Sequence, residues 1–553
     1  MKYVIIGAVA GGASTAARLR RNDEHAEIVI FEKGAYISYA NCGLPYYIGN
    51  VIKDREELFV QTAASFNMRF NIDVRTLTEV LAIDRTKKTI SVRNQTTGEV
   101  YEESYDKLVL SPGAEPVRPP LPGIASKGIF TLRNVADTDI IKSYVQQESV
   151  RKAVVIGAGF IGLEMAENLH LLGLDVTIIE MATQVLTPVD FPIAAILQQH
   201  IRAKGVHLHL NTAVSGFEQT PTGLRVLLNN GNELDADIVI LSIGVKPDTR
   251  LAAEAGLKIG EAKGIYVNEY LQTSDPDIYA VGDAIEFTNP ITNKATITYL
   301  AGPANKQGRI CADNLAFGHH QKYIGSINTA IVKAFDMTVA TAGVSSKQLH
   351  QLNIQHHVST VTGGSHAGYY PRAKQMTIQL AFTPEDGRLL GAQIAGFDGV
   401  DKRLDILSSV IKRQGTIAEL TEFEHAYAPP FSSAKDPVNM AAFAAENILR
   451  KRSVVFYWNE FENIPDEDIL LDVRTKKEYK AGKIGNAINI PVDELRNRLD
   501  EIPDNKRIYI YCLGGLRGYL AQRILMQNGY TDTLNLSGGY QLWNTCMVET
   551  DIG

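Results

Sequence analysis

Two segments of the chain share one order of elements, and that repetition constrains the fold more than any other feature. Residues 2–32 read as an apolar strand, the turn Gly7-Ala8-Val9-Ala10-Gly11-Gly12, a helix, and a second strand ending in the acid of "EIVIFEK". Residues 152–180, "KAVVIGAGFIGLEMAENLHLLGLDVTIIE", repeat that order. Each is the start of a βαβ unit, with glycines where the chain turns tightly and a helix N-terminus whose free N–H groups favour a phosphate. Two such starts predict two dinucleotide sites.

A chain of 553 residues is too long for one core, and its size predicts about three to five domains. With 45% hydrophobic and 21% charged residues it reads as soluble and globular. A net charge of −7 gives no footprint for nucleic acid or an anionic membrane. Four cysteines in this length do not make a disulfide framework and suit a reducing cytoplasm, the expected location. The N-terminus, "KYVIIGAVAGGAS", lacks the parts of a secretory signal, and no apolar run is long enough to span a bilayer. No metal site is expected.

The first turn departs from G-x-G-x-x-G because Val9 holds the middle position. Gly7 and Gly12 still serve the tight turn and the close helix, and Gly11 stands beside the third glycine. Glu32, followed by Lys33, ends the next strand, where a carboxylate accepts both ribose hydroxyls. The second turn matches fully, with Gly157, Gly159, Ile161 and Gly162. Glu180 ends its second strand and is followed by Met181 rather than a basic residue. A carboxylate there repels the 2′-phosphate of NADP and bonds the free hydroxyl of NAD, so NADH is preferred. NADPH stays possible if a basic side chain arrives from elsewhere.

Residues 83–113 are charged and Thr-rich and read as short antiparallel strands. Around residues 326–445 the pattern changes to strands and an amphipathic helix, an α+β domain. A linker then leads to an independent βα alternation. Two further strings are "LVLSPGAEP" (108–116), with Pro112, Gly113 and Ala114, and "TSDPDIYAVGDAIE" (273–286), with Asp283. Together with the two turns they make residues 1–445 resemble the pyridine-nucleotide disulfide reductases, a family of two-dinucleotide flavoproteins. That resemblance implies FAD at the first turn, NAD(P)H at the second, and Asp283 on the ribityl chain. "LSIGVKPDT" (241–249), with Gly244, is similar to the segment closing the nucleotide domain. The implied fold class is α/β: two interleaved Rossmann-like dinucleotide-binding domains, an α+β dimerisation domain and a C-terminal α/β domain. The boundaries expected are 1–112 with 250–325 for FAD, 113–249 for NAD(P)H, 326–445 for dimerisation, 446–454 for a linker, and 455–553 for the last domain.

Many members of that family carry two cysteines separated by four residues. Here the first domain holds only Cys42, in "SYANCGLPYYI", so no internal disulfide stores electrons. Cys311 has apolar neighbours at helical spacing and is expected to be a buried packing thiol. Cys42 is left with a substrate thiol, a sulfane sulfur or oxygen as its partner, each reached through the thiolate. A lowered thiol pKa is expected where the sulfur abuts oxidised flavin or a helix N-terminus. The string resembles the single-cysteine branch of the family: coenzyme A-disulfide reductases, NADH oxidases, NADH peroxidases and NADH-dependent persulfide reductases. Tyr39 departs from the Ser-Phe-x-x-Cys of the coenzyme A members.

Ser14, Arg18 and Arg21 fall on one face of the first helix, and arginine forks suit the phosphates of coenzyme A. The resemblance adds Ser38, Asn41, Asn305 and Lys435 to that ligand. It also implies a homodimer in which Tyr369 and Tyr427 cross to the other subunit's Cys42. A phenol there hydrogen-bonds a thiolate or protonates a leaving sulfur.

Near the C-terminus a strand ends in "IYIYC", followed by Leu513-Gly514-Gly515-Leu516-Arg517-Gly518 and a helix. Backbone N–H groups of that loop and the charge of Arg517 would stabilise anionic sulfur on Cys512. Residues 455–553 resemble a single-domain rhodanese, which handles sulfane sulfur. Cys546 receives no role. The fusion favours an FAD-dependent enzyme that reduces coenzyme A persulfide, other persulfides or polysulfide with NADH through Cys42. It releases hydrosulfide and thiol, and Cys512 handles sulfane sulfur. The alternatives are a coenzyme A-disulfide reductase, an NADH oxidase or peroxidase using a Cys42 sulfenic acid, and a non-catalytic sulfur carrier or sensor.

Overall fold

Runs such as "KYVII" and "KAVVI" are nearly continuous apolar stretches, so they become central parallel strands buried on both faces. The computed structural model describes residues 1–552. They fall into two units, one of residues 1–179 with 212–328 and one of residues 180–211 with 329 onward.

In the first unit, Lys2–Ile6 lies between Glu27–Phe31 and Lys107–Leu110, and Asp73–Arg75 and Ile278–Ala280 extend this parallel sheet at its two edges. The strand order reverses beside Lys2–Ile6, so the first glycine turn opens at the switch point where such sheets bind ligands. A second parallel arrangement sets Lys152–Ile156 between Asp175–Ile179 and Ile238–Leu241, with Ile129–Phe130 beyond. The Thr-rich stretch forms most of a three-stranded antiparallel meander, Thr78–Asp84, Thr89–Asn94 and Val100–Ser104.

The glycine turns are fixed by backbone crowding. Gly7 adopts φ +94°, and a Cβ on it would lie 2.1 Å from the Ser111 carbonyl oxygen. A Cβ on Gly12 would lie 1.9 Å from the Gly7 oxygen, and one on Gly162 would lie 2.0 Å from the Gly157 oxygen. Val9 occupies the helix N-cap at φ −101°, outside the left-handed region that favours glycine, so the middle glycine is dispensable here.

In the second unit, an antiparallel five-stranded sheet runs Ala330–Ala334, Met337–Gly343, Leu389–Gly396, Gln375–Phe382, His357–Gly364. Helices Val400–Lys412 and Pro437–Leu449 pack against it. The helix Phe191–Ala203 is tied to the same sheet by the buried carboxylate of Asp190. Asp190 accepts N–H groups from Ser346 (3.0 Å), Lys347 (2.9 Å), Gln379 (2.6 Å) and Gln393 (2.6 Å). A buried carboxylate needs that many donors, because an unpaired one would carry its full desolvation cost.

The C-terminal part is a parallel sheet ordered Val455–Phe456, Thr533–Leu536, Ile508–Tyr511, Ile469–Asp472, Ile488–Asn489. It is less independent than its sequence implied. Its last helix, Gly539–Ile552, packs on Phe191–Ala203, with Gln198 donating to Glu549 at 2.9 Å and Cys546 fully buried at the seam. Tyr457 donates to the Val358 carbonyl at 3.1 Å, and the Thr360 N–H donates to the Ser537 hydroxyl at 3.1 Å. Helix Pro437–Leu449 runs into the stretch expected as linker, and Ser453 bonds Gln522 at 2.6 Å. Among the described residues no helix is long and apolar enough to cross a membrane.

The crowding at the second turn yields a contrast. Gly162→Ala should destabilise the chain by about 2 kcal/mol, the scale of overpacking against a fixed neighbour. Gly159, at φ −78° with nothing within 4 Å of the position a Cβ would take, should accept alanine with little change in urea unfolding midpoint.

Candidate active site

The first glycine turn opens into a cavity of about 840 Å³ lined by Gly7, Ala8, Gly11, Glu32, Lys33, Asn41, Cys42, Pro112, Gly113 and Asp283. Residues separate in sequence thus share one wall. The Glu32 carboxylate accepts the Ala8 N–H at 2.9 Å and the Gly34 N–H at 2.7 Å, which fixes it between turn and strand end. Lys33 pairs with Glu115 at 2.7 Å, also on the wall. Gly113 adopts φ +79°, and a Cβ there would meet the Arg133 guanidinium at 2.5 Å. A methyl on Gly11 would sit 2.9 Å from both Ser111 Oγ and a Val281 methyl. The turn is a cradle that admits close approach only with glycine, and together with its strand-end carboxylate and its volume it fits a dinucleotide such as FAD.

Asp283 sits in the short turn Gly282–Ala284 on the cavity wall, where burial pushes its carboxyl up and Arg133 pulls it down. Sequence reasoning missed Arg133, which follows a two-residue strand and carries no motif. Gly157 and Gly244 both take positive φ, +98° and +105°. Ile161 is exposed in the helix's first turn, and the Glu180 carboxylate accepts the Ala182 N–H at 2.8 Å.

Cys42 lies in a tight 3₁₀ turn, Asn41–Gly43, directly ahead of the short helix Leu44–Ile48. Ser38 enters this loop at φ +44°, a left-handed conformation costly for serine, held by its N–H to the Ala8 carbonyl (2.8 Å) and by the Val60 N–H to its own (3.0 Å). The Cys42 side chain is exposed along the cavity wall, yet the thiol pKa runs opposite to expectation. Partial burial pushes it up, and the carboxylates of Glu164 and Asp283 push the same way. Burial also lifts the Tyr39 phenol to about 12. Cys311 is fully buried inside its helix.

The coenzyme A candidates divide. The Ser14 hydroxyl reaches Asn305 Oδ1 at 2.5 Å, because the helix Ala301–Phe317 packs tightly on the first helix: a Cβ on Gly308 would meet the Gly11 carbonyl at 2.6 Å. Arg18 is already paired with Asp313, Nε to Oδ1 at 2.7 Å and Nη2 to Oδ2 at 3.2 Å. Arg21 is exposed.

In the second unit, the Tyr369 and Tyr427 hydroxyls meet at 2.9 Å and both rings are exposed. The segment bearing Tyr427 is anchored by Asp436, which is buried against Arg403 at 2.8 Å and caps the following helix through the Val438 N–H. Lys435, one residue earlier, is exposed. Cys512 follows the strand Ile508–Tyr511, is 2% exposed, and its Sγ accepts the Gly515 N–H at 3.1 Å. Gly515 takes φ +105° to turn the loop into helix Leu516–Gln527. Arg517 lies close enough to Cys512 to feel its charge, and its guanidinium forks onto Glu478 at 2.8 and 2.7 Å.

The family model for pyridine nucleotide-disulphide oxidoreductases matches residues 1–308, that for their dimerisation domain 329–437, and that for rhodanese-like domains 458–546. The chain belongs to the pyridine nucleotide-disulphide oxidoreductase family. It is a flavin-dependent enzyme of that family with a C-terminal rhodanese-like domain. It is similar to the coenzyme A disulfide reductase of Staphylococcus haemolyticus, 38% identical over 447 residues, which covers 81% of this chain and all of that protein. Among solved structures it resembles the reduced Bacillus anthracis CoADR-RHD (TM-score 0.97, 49% identity, 99% of this chain and 98% of that one). It also resembles a NAD-dependent persulfide reductase from A. fulgidus (TM-score 0.91, 39% identity, 98% of this chain and all of that one).

The Arg517 fork holds the Glu478 carboxyl at about 2, below its ordinary 4.5. A depressed carboxyl adds stability that is present above about 4.5 and is lost as pH falls towards about 2. Glu478→Gln should therefore cost stability at neutral pH, and the gap to the wild type in thermal unfolding should narrow across that window.

Proposed function

We propose that this enzyme reduces coenzyme A persulfide, other persulfides or polysulfide with NADH, releasing thiol and hydrosulfide. The observation that carries the reading is the placement of one cysteine, Cys42, on the wall of the dinucleotide cavity, with no second thiol lining it. A second nucleophilic cysteine, Cys512, stands in a rhodanese-like loop with an N–H on its sulfur. A lone cysteine must take its second sulfur from the substrate, and a rhodanese-like domain is suited to sulfane sulfur.

Glycines 7, 11 and 12, Glu32, Gly113 and Asp283 hold FAD, and the turn at Gly157 with Glu180 holds NADH. When bound, these cofactors supply the electron pair that cleaves the Cys42 sulfur adduct. The Cys42 thiolate attacks the outer sulfur of R–S–SH, forms Cys42–S–SH and releases the thiolate RS⁻. Attack on the inner sulfur instead leaves a mixed disulfide and releases hydrosulfide first. The chain works as a homodimer through the domain at residues 329–437, with the Tyr369 and Tyr427 hydroxyls reaching the partner's sulfur and donating protons to it. Ser14, Arg18, Arg21, Ser38, Asn41, Asn305 and Lys435 bind coenzyme A. Four unpaired cysteines suit a reducing cytoplasm.

A second reading, coenzyme A-disulfide reduction, is supported by the staphylococcal relatives. Those relatives match about four fifths of this chain, whereas both solved structures cover nearly all of it, and one of them is a persulfide reductase. That favours the first reading.

The test compares NADH consumption with coenzyme A persulfide, coenzyme A disulfide, polysulfide and oxygen on one preparation. Persulfide should be the fastest acceptor. Cys42→Ser should lose at least about 10³-fold in turnover. Cys512→Ser should keep small soluble persulfides and lose sulfur drawn from polysulfide. Full persulfide turnover by Cys42→Ser would overturn the proposal, and faster disulfide turnover would select the second reading.

A further inference from the structure

The last helix of the C-terminal domain carries a carboxylate where packing alone would favour an apolar side chain. Glu549, in Gly539–Ile552, is 1% exposed at the seam with the helix Phe191–Ala203. The surroundings are apolar: Leu542 and Cys546 pack against Ala195, and Phe191 stacks on Trp458 with ring centroids 5.1 Å apart. A carboxylate is tolerable in such a place only where donors meet it. Gln198 Nε2 at 2.9 Å and Arg202 Nε at 3.5 Å do so, both reaching the same oxygen, Oε2.

Each donor also grips the chain on one side of Glu180. Gln198, fully buried, accepts the Val185 N–H at 3.2 Å, in the loop that joins Glu180 to the helix. That loop needs bracing, since Leu186 takes φ +48°, a left-handed conformation costly for leucine. Arg202 donates through Nη1 to the Leu208 carbonyl at 2.9 Å. The next carbonyl along, that of His209, accepts the Glu180 N–H at 2.8 Å. The Asn211 N–H then bonds the Ala182 carbonyl at 3.0 Å, and the Ala182 N–H bonds the Glu180 carboxylate at 2.8 Å. Two hydrogen-bonded limbs thus leave one oxygen of Glu549 and close on the Glu180 segment from both sides.

We infer that Glu549 is a positioning residue for Glu180, so that the C-terminal domain takes part in holding the ribose of NADH. This rests on the reading that Glu180 accepts the hydroxyls of that ribose. A carboxylate that takes two hydroxyls at once has to be held to within about 0.5 Å, and the bonds behind it supply that precision. Glu549 touches neither nucleotide nor sulfur and acts only through Gln198, Arg202 and the backbone they hold. Its contribution is therefore to dinucleotide affinity, leaving the transfer of electrons to flavin unchanged.

The test uses the oxidised holoenzyme and two readouts: calorimetric titration with NAD⁺, and the limiting rate of anaerobic flavin bleaching by NADH. Glu549→Ala should raise the Kd for NAD⁺ about tenfold and leave the limiting rate near that of wild type, the pattern of lost ground-state binding. Glu549→Gln keeps an acceptor for Gln198 but loses the charge beside Arg202, and should raise the Kd about threefold. It carries the test should Glu549→Ala not fold. Glu180→Ala should weaken NAD⁺ at least as much as Glu549→Ala. The double variant should bind no more weakly than Glu180→Ala alone, because one residue acts through the other. An unchanged Kd in the Glu549 variants beside a weakened Glu180→Ala would overturn the inference, as would losses that multiply in the double variant or a limiting rate that falls with the affinity. If Glu180→Ala binds NAD⁺ as wild type does, the reading of Glu180 itself has failed and the inference falls with it.

Discussion

The contact between the third glycine of each turn and the carbonyl of the first governs the rest of the first unit. A methyl group at Gly12 or Gly162 would sit about 2 Å from that oxygen, so only glycine lets the helix start so close to the strand end. The consequence is a helix N-terminus aimed at the switch point of a parallel sheet, where a dinucleotide's phosphates are held by backbone N–H groups. Glu32, bonded to the Ala8 and Gly34 N–H groups, then has a fixed position at the far side of the turn. Cavity, cysteine loop and Asp283 are arranged around this frame. Even the strained Ser38 is held by a carbonyl of the same turn.

The two cysteines of the proposed chemistry occupy opposite environments. Cys512 has a backbone N–H on its sulfur and a guanidinium nearby, clamped by Glu478. Cys42 is opposed by burial and by two carboxylates. Under the proposed function this difference suits two tasks. One site offers its sulfur a backbone donor and a nearby cation, and the other opposes a thiolate with burial and carboxylates. A permanently ionised Cys42 would be open to oxidation whenever substrate was lacking.

Local signals made much of this legible in the sequence. The glycine turns, the acids at strand ends and the Cys512 loop are all encoded by neighbours within a few residues, and the repeated strand–turn–helix order fixed the two nucleotide folds. What escaped is set by pairs distant in sequence. The Asp190 carboxylate meets donors some 150 to 200 residues away, Arg133 acts on the Asp283 charge with no motif around it, and Tyr46 meets Glu164 across 118 positions. The docking of the C-terminal helix on Phe191–Ala203 was hidden for the same reason, since a buried Glu549 has meaning only beside Gln198 and Arg202. Arg18 reads as a phosphate ligand from its helix face alone, and the Asp313 carboxylate that orients its guanidinium lies 295 residues on.

The central claim is that Cys42, having no partner thiol, takes its second sulfur from the substrate. The most direct measurement mixes the oxidised holoenzyme with one equivalent of coenzyme A persulfide in the absence of NADH, quenches by alkylation, and weighs the Cys42 peptide. The account predicts that this peptide carries either one added sulfur atom or a coenzyme A disulfide, and that NADH removes the adduct. A Cys42 peptide that stays unmodified while the enzyme still turns over persulfide would contradict it.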